Sequence, residues 1–165
     1  LSSNDVIATY NSELIDDGYQ FGIYNNSLRM AATADQDTTY SFLNVNIGGY
    51  NDKDTISLYL VNNIFPGNGY SYFAKCQQDI HFHADYNIVY NFRGYIRGVG
   101  SIIGKTNDID EDPLYLDADL HIDPASPAID HGATPLQFQF IPEVDIDGIP
   151  RPRGSGYDMG AYEKE

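Results

Sequence analysis

The chain has 165 residues, 42% hydrophobic and 20% charged, which excludes a disordered tract and suits one domain with a core. Its 24 acidic against 9 basic residues give a net charge of −15, which excludes a nucleic-acid partner, because phosphates would meet few replacement cations. A single cysteine, Cys76, excludes an intrachain disulfide and therefore a disulfide-built miniprotein.

No stretch approaches the roughly 18–20 apolar residues of a membrane span, so membrane insertion is not expected. No secretory leader is recognisable, and the chain starts at Leu1 without Met, so it is read as processed, trimmed or a fragment. Tyr is abundant at 14, Phe adds 8 and Trp is absent, a composition that suits pleated, half-buried strands.

Along the chain, helical periodicity is missing and short alternating runs are punctuated by Gly, Asn and Asp. Asn25-Asn26-Ser27 is an acceptor pattern for N-glycosylation. In Thr55–Leu60, Ile56, Leu58 and Leu60 share one face, and in Asp79–Asp85, Ile80, Phe82 and Ala84 do, so both runs read as strands with one side in a core. Asn followed by small or apolar residues recurs at Asn26, Asn46, Asn63 and Asn87, with spacings of 20, 17 and 24 residues. Periods of this size are those of solenoids. Asn tolerates the left-handed backbone of a tight bend, and stacked coils would bring one carboxamide above the next as a hydrogen-bond ladder. From about Asn107, Asp and Pro become dense, and Pro breaks backbone ladders, so 107–165 reads as a last coil and an irregular terminal cover, after coils over 1–106 in one continuous domain.

Four pieces of this tail occur in order: Asp112-Pro113-Leu114-Tyr115-Leu116, Ser126-Pro127-Ala128-Ile129-Asp130-His131-Gly132, Asp145-Ile146-Asp147-Gly148-Ile149-Pro150-Arg151-Pro152, and Tyr157-Asp158-Met159-Gly160-Ala161-Tyr162-Glu163. Together they resemble the closing segment of secreted bacterial right-handed parallel β-helix proteins, usually a DPLF strand, a SPAIDAG turn, a DIDGNPRP segment and a final DIGAYE. His131 stands where Ala is usual, Ile149 where Asn is, and Met159 where Ile is. The resemblance covers about a third of the chain. It implies an all-β, right-handed parallel β-helix (β-solenoid) with an irregular C-terminal capping segment, and an extracellular or cell-surface location. It implies no activity, because the same tail closes coils of different purpose. Within the tail, Arg151 and Arg153 are a close basic pair among carboxylates, and Asp130, Asp145, Asp147 and Asp158 complete a structural cap in which an Arg–Asp pair is expected, with Asp130, Asp145 or Asp158 as the partner.

Several residue sets are candidates for chemistry. Asp79, His81, His83 and Asp85 share the outward face of one run and form a candidate metal or general-base site; the plain alternative is a polar coil face. Tyr70, Tyr72, Tyr90, Arg93, Tyr95 and Arg97 combine aromatic faces with cations and form a candidate carbohydrate site. The acidic runs Asp108, Asp110, Glu111, Asp112 and Asp117, Asp119, Asp123 are candidate Ca²⁺ ligands, with solvated loops as the alternative. Cys76 pairs with no motif His and reads as a small packed residue.

Three functions are compatible with these readings. A non-enzymatic structural or adhesive surface module ranks first; self-association through an uncapped coil end into filaments, or a cell-surface polysaccharide, would supply its partner. A polysaccharide lyase, epimerase or hydrolase is the second, and a metal- or Ca²⁺-dependent binding module the third.

Overall fold

In the computed structural model, residues 13–15, 18–28, 41–45, 55–76 and 80–164 are described. They are all-β, with no helix among them. Ten strands form: β1 Glu13–Ile15, β2 Gly18–Tyr24, β3 Ser41–Val45, β4 Thr55–Val61, β5 Ile64–Pro66, β6 Tyr72–Cys76, β7 Ile80–Asp85, β8 Ile88–Tyr90, β9 Gly94–Gly98 and β10 Ser101–Gly104. They build three sheets in the orders β1-β2-β4-β7-β10, β3-β6-β9 and β5-β8. Apart from the antiparallel β1–β2 pair, every strand pair is parallel. From β4 onwards the chain visits the three sheets in a fixed rotation, and isolated parallel bridges extend the β5–β8 sheet at both ends, from Ser27 to Ile64 and from Ile88 to Ile109.

Alternation decides which side chains turn inward. Along β7, burial alternates residue by residue, with Ile80, Phe82 and Ala84 inside. Parallel register aligns the inward residues: Ile80 sits beside Ile56, Phe82 between Leu58 and Ile102, and Ala84 between Leu60 and Gly104. Phe73 lies at the centre, 5.0 Å from Phe65, 5.5 Å from Phe92 and 4.8 Å from Tyr95 between ring centroids. Each fully buried side chain of this size contributes roughly 1.5–3 kcal/mol.

The corner between the first sheet and the β5–β8 sheet is polar and repeats. Asn25, Asn62 and Tyr86 adopt left-handed φ values of 52°, 56° and 58°, each just before a ladder residue. The ladder itself runs Asn26, Asn63, Asn87, Asp108. Asn26 Nδ2 donates to Asn63 Oδ1 (3.1 Å), Asn63 Nδ2 to Asn87 Oδ1 (3.0 Å), and Asn87 Nδ2 to Asp108 Oδ1 (3.1 Å). Asn26 and Asn63 are direct neighbours across 37 residues of sequence; Asn46 lies outside the described residues. Asp108 ends the series because a carboxylate accepts but has no hydrogen to pass to a further coil.

Beyond Ile109 the chain has no strand of its own and lies against the outside of the coils. Ile122, Ala128 and Met159 pack on Ile64 and Ile88, while Ala133 and Ile141 pack on Val61. Asn62 docks this segment directly: its Nδ2 donates to Ala133 O (2.9 Å), its Oδ1 accepts from Ala133 N (2.6 Å), and its carbonyl accepts from Gly160 N (2.7 Å). Ala161 N reaches Ser27 Oγ at 3.0 Å, and Tyr115 donates its hydroxyl to Leu28 O at 3.0 Å. This segment thus packs along the flank of successive strands.

Candidate functional site

The outward face of the first sheet carries His81 and His83. Ser57, His81 and Ser101 occupy one row across the strands, and Tyr59, His83 and Ile103 the next. The Tyr59 and His83 rings are stacked, 4.5 Å apart and 10° from parallel. A Cβ at Gly22 would collide with the Tyr24 ring, so Gly22 is what lets Tyr24 lie over this face; burial and then nearby Tyr59 push the Tyr24 hydroxyl up. Burial and the neighbouring His81 hold His83 below the ordinary imidazole value. Rings stacked on one another present edges to solvent and keep their faces occupied, which is the geometry of a scaffold ladder.

Asp85 is engaged by the last coil: Oδ1 accepts from Asn107 N (2.8 Å) and Oδ2 from Asn107 Nδ2 (3.1 Å). Asp79 lies outside the described residues. No group of three or more His, Cys, Asp or Glu among the described residues is arranged to hold a metal ion.

The six candidate sugar-binding residues fall in four places. Tyr95 packs against Phe73 in the core and donates its hydroxyl to Asp108 Oδ2 (3.2 Å); burial, with Asp108 beside it, pushes that hydroxyl far up. Tyr72 lies beside Gly94 with the Arg93 guanidinium 5.7 Å from its ring centre, and Arg97 is the rung neighbour of Lys75 on the same sheet. Tyr70 is 43% exposed on the turn before β6, and Tyr90 lines a groove with Pro66, Gly67, Asp112, Pro113 and Leu114.

In the tail, the side chain of Arg151 is fully buried. The carboxylate that meets it is Glu163, at 2.7 Å, rather than Asp130, Asp145 or Asp158. The guanidinium also donates to the carbonyls of Asp158 (3.0 Å) and Gly160 (2.8 Å). Burial pulls Arg151 down and pushes Glu163 up, yet a guanidinium stays protonated in proteins, so the pair is ionic. Glu163 Oε1 also accepts from Arg153 N. The aspartates organise backbone: Asp145 accepts from Asp147, Ile149 and Glu163 amides, Asp158 from Asp130 and Lys164, and Asp130 from Gly156.

The acidic loops behave alike. Asp112 accepts from Leu114 N, Asp123 from Ala125 N, and Asp117 from His121 N. One constellation here joins segments far apart in sequence and carries no sequence motif. His121 Nδ1 lies 2.7 Å from Asp117 Oδ2, its Nε2 lies 3.8 Å from Asp147 Oδ2, and its ring packs 4.1 Å from that of Tyr162. The hydrogen bond to Asp117 raises the imidazole above its ordinary value, with Asp147 and Asp119 adding to it.

Two other sequence candidates are built into the scaffold. Asn25 of the glycosylation pattern is 8% exposed and donates to Gly160 O (3.4 Å), while Ser27 binds Ala161 N. Cys76 is buried, and burial pushes its thiol up to about 11, far from a reactive thiolate.

No family model, curated protein or solved structure matches this chain. No described helix is long and apolar enough to cross a membrane.

Proposed function

We propose that the chain forms the closing coils of a right-handed parallel β-helix in an extracellular or cell-surface protein, with a structural or adhesive role and not a catalytic one. The rotation through three parallel sheets and the Asn26–Asn63–Asn87–Asp108 ladder support the solenoid. One observation carries the non-catalytic reading: carboxylates across the coils and tail, from Asp85 and Asp108 to Asp112, Asp117, Asp123, Asp145 and Asp158, accept backbone amide hydrogens. Such groups are turn-builders, and an acid–base pair would need carboxylates aimed at a shared space.

The test is incubation with acidic and neutral polysaccharides, read for both retention and new chain ends. Retention without cleavage is the expected result. New reducing ends or unsaturated products would move the chain to the alternative class of polysaccharide-active enzymes.

A further inference from the structure

The fold treats the four histidines of this chain in two ways. In the tail, His121 Nδ1 meets Asp117, and His131 Nδ1 meets the Ile129 carbonyl. On β7, His81 and His83 stand two residues apart on the outward side of one strand, half-buried. Among the described residues, neither of these two imidazoles is engaged in a hydrogen bond, so their nitrogens are uncommitted.

The stack with Tyr59 fixes how His83 presents its nitrogens. Tyr59 and His83 are register partners on neighbouring strands, which run about 4.8 Å apart. Their ring centroids are 4.5 Å apart and their planes within 10° of parallel. The His83 ring therefore turns its face towards β4 and its edge outward and along its own strand. His81 lies in that edge direction, about 6.6 Å away along β7. A ring nitrogen binds a metal through its lone pair, in the plane of the ring, at about 2.0–2.1 Å. An ion seated between the two side chains thus meets one nitrogen from each.

The surroundings select the ion. Across the strands, His81 has Ser57 and Ser101 beside it, and His83 has Tyr59 and Ile103. No carboxylate or thiol stands among these four, and Asp85 is held by Asn107. Ca²⁺ and Mg²⁺ take several oxygen ligands and are not served by this face. Imidazoles suit Cu²⁺, Ni²⁺ and Zn²⁺, and Cu²⁺ binds such nitrogens most strongly. It accepts two nitrogens in a tetragonal arrangement with water completing its shell, and the Ser57 and Ser101 hydroxyls are hydrogen-bond partners for that water. We propose that His81 and His83 form an open, two-imidazole Cu²⁺ site on the outward face of the first sheet. The site goes beyond the structural reading above and is independent of it: polysaccharide cleavage would overturn that reading and leave the copper site standing.

Copper titration of the full chain, read by calorimetry and electron paramagnetic resonance, tests it. A single equivalent of Cu²⁺ is expected to bind, with nitrogen coupling from two imidazoles. Ni²⁺ and Zn²⁺ should bind more weakly, and Ca²⁺ at about 1 mM should not displace the copper. His81→Gln and His83→Gln should each weaken binding at least about tenfold. The double variant should be little weaker than either single one, because a lone imidazole no longer chelates. His121→Gln should leave the affinity unchanged. In the unaltered chain, substoichiometric Cu²⁺ should broaden the amide resonances of Ser57, Tyr59, His81, His83 and Ser101 before those of the tail, a readout that depends on no variant folding. Absence of saturable binding, coupling from one nitrogen only, full affinity in the double variant, loss of affinity in His121→Gln, or broadening centred on the tail would each overturn the proposal.

Discussion

The coils and the tail solve the same problem by different means. In the coils, backbone groups are satisfied by the next coil, inward side chains align in register, and one amide ladder serves the corner. The tail has isolated bridges such as Gly132 to Tyr157 and Val144 to Pro150, and its backbone is satisfied by turn and bridge hydrogen bonds, by Asp side chains and by the buried Arg151–Glu163 pair. Repetition makes the coils tolerant, since each rung is supported by two neighbours. The tail has no repeat, so single residues carry whole turns. The aspartates of the tail serve that division, because a carboxylate can accept several amide hydrogens where no parallel strand is present.

The sharpest way to break this comparison is in the coil core. Phe82→Ala leaves a cavity between Leu58 and Ile102 and should cost roughly 3–5 kcal/mol. Coils and tail should then lose hydrogen-exchange protection together, because the tail has only the coil flank to lie on. Separate unfolding of the tail in this variant would show that it is self-supporting.

Arg151→Met strands the buried Glu163 carboxylate and should cost about 3–5 kcal/mol. Here protection should fall in residues 128–163 first and remain in β4 and β7. The double change Arg151→Met with Glu163→Met removes both charges and should recover most of the loss, measured by denaturant titration.

A smaller effect is expected at the junction. Asn62→Gly keeps the left-handed φ of 56° accessible but deletes both side-chain bonds to Ala133, at a cost of about 1–3 kcal/mol. Asn62→Ala adds backbone strain and should be worse than Gly. If the two variants melt alike, the backbone conformation is not what places the carboxamide.

The smallest effect is a pH dependence. His121 is more basic in the fold than its ordinary 6.5, so its stabilisation is complete below that pH and is lost as pH rises through the elevated folded value. Asp117 is lowered from 3.8 by the same contact, so its share is present above 3.8 and is lost as pH falls through its folded value. His121→Gln should flatten the melting-temperature profile on the alkaline side of pH 6.5, read by circular dichroism. An unchanged slope would assign it to other groups.

Much of the coil was legible in the chain. The alternation of Ile80, Phe82 and Ala84 places their side chains, because strand geometry sends every second residue to one face. The recurring Asn residues announced a ladder, although their true spacing includes a 37-residue step that no regular period would suggest. Glu163 as the partner of Arg151 was not legible, since the tail offers many carboxylates and only folding selects the one that is buried beside it. The candidate sugar-binding set dispersed for a related reason: Tyr72 and Tyr95 differ little as residues, yet one lies beside Arg93 and the other packs into the core.

By itself, the sequence determined that the described residues are all-β, that strands such as β4 and β7 bury one apolar face, and that Asn residues mark the bends after them. These follow from local rules of pleat, φ preference and composition. Only the tertiary structure decided that the tail lies along the flank, that Asn62 clasps Ala133, that Asp108 closes the ladder and that His121 meets Asp147 and Tyr162. Each of those contacts joins residues far apart in sequence, and their partners are chosen by which surfaces the folded coils leave uncovered.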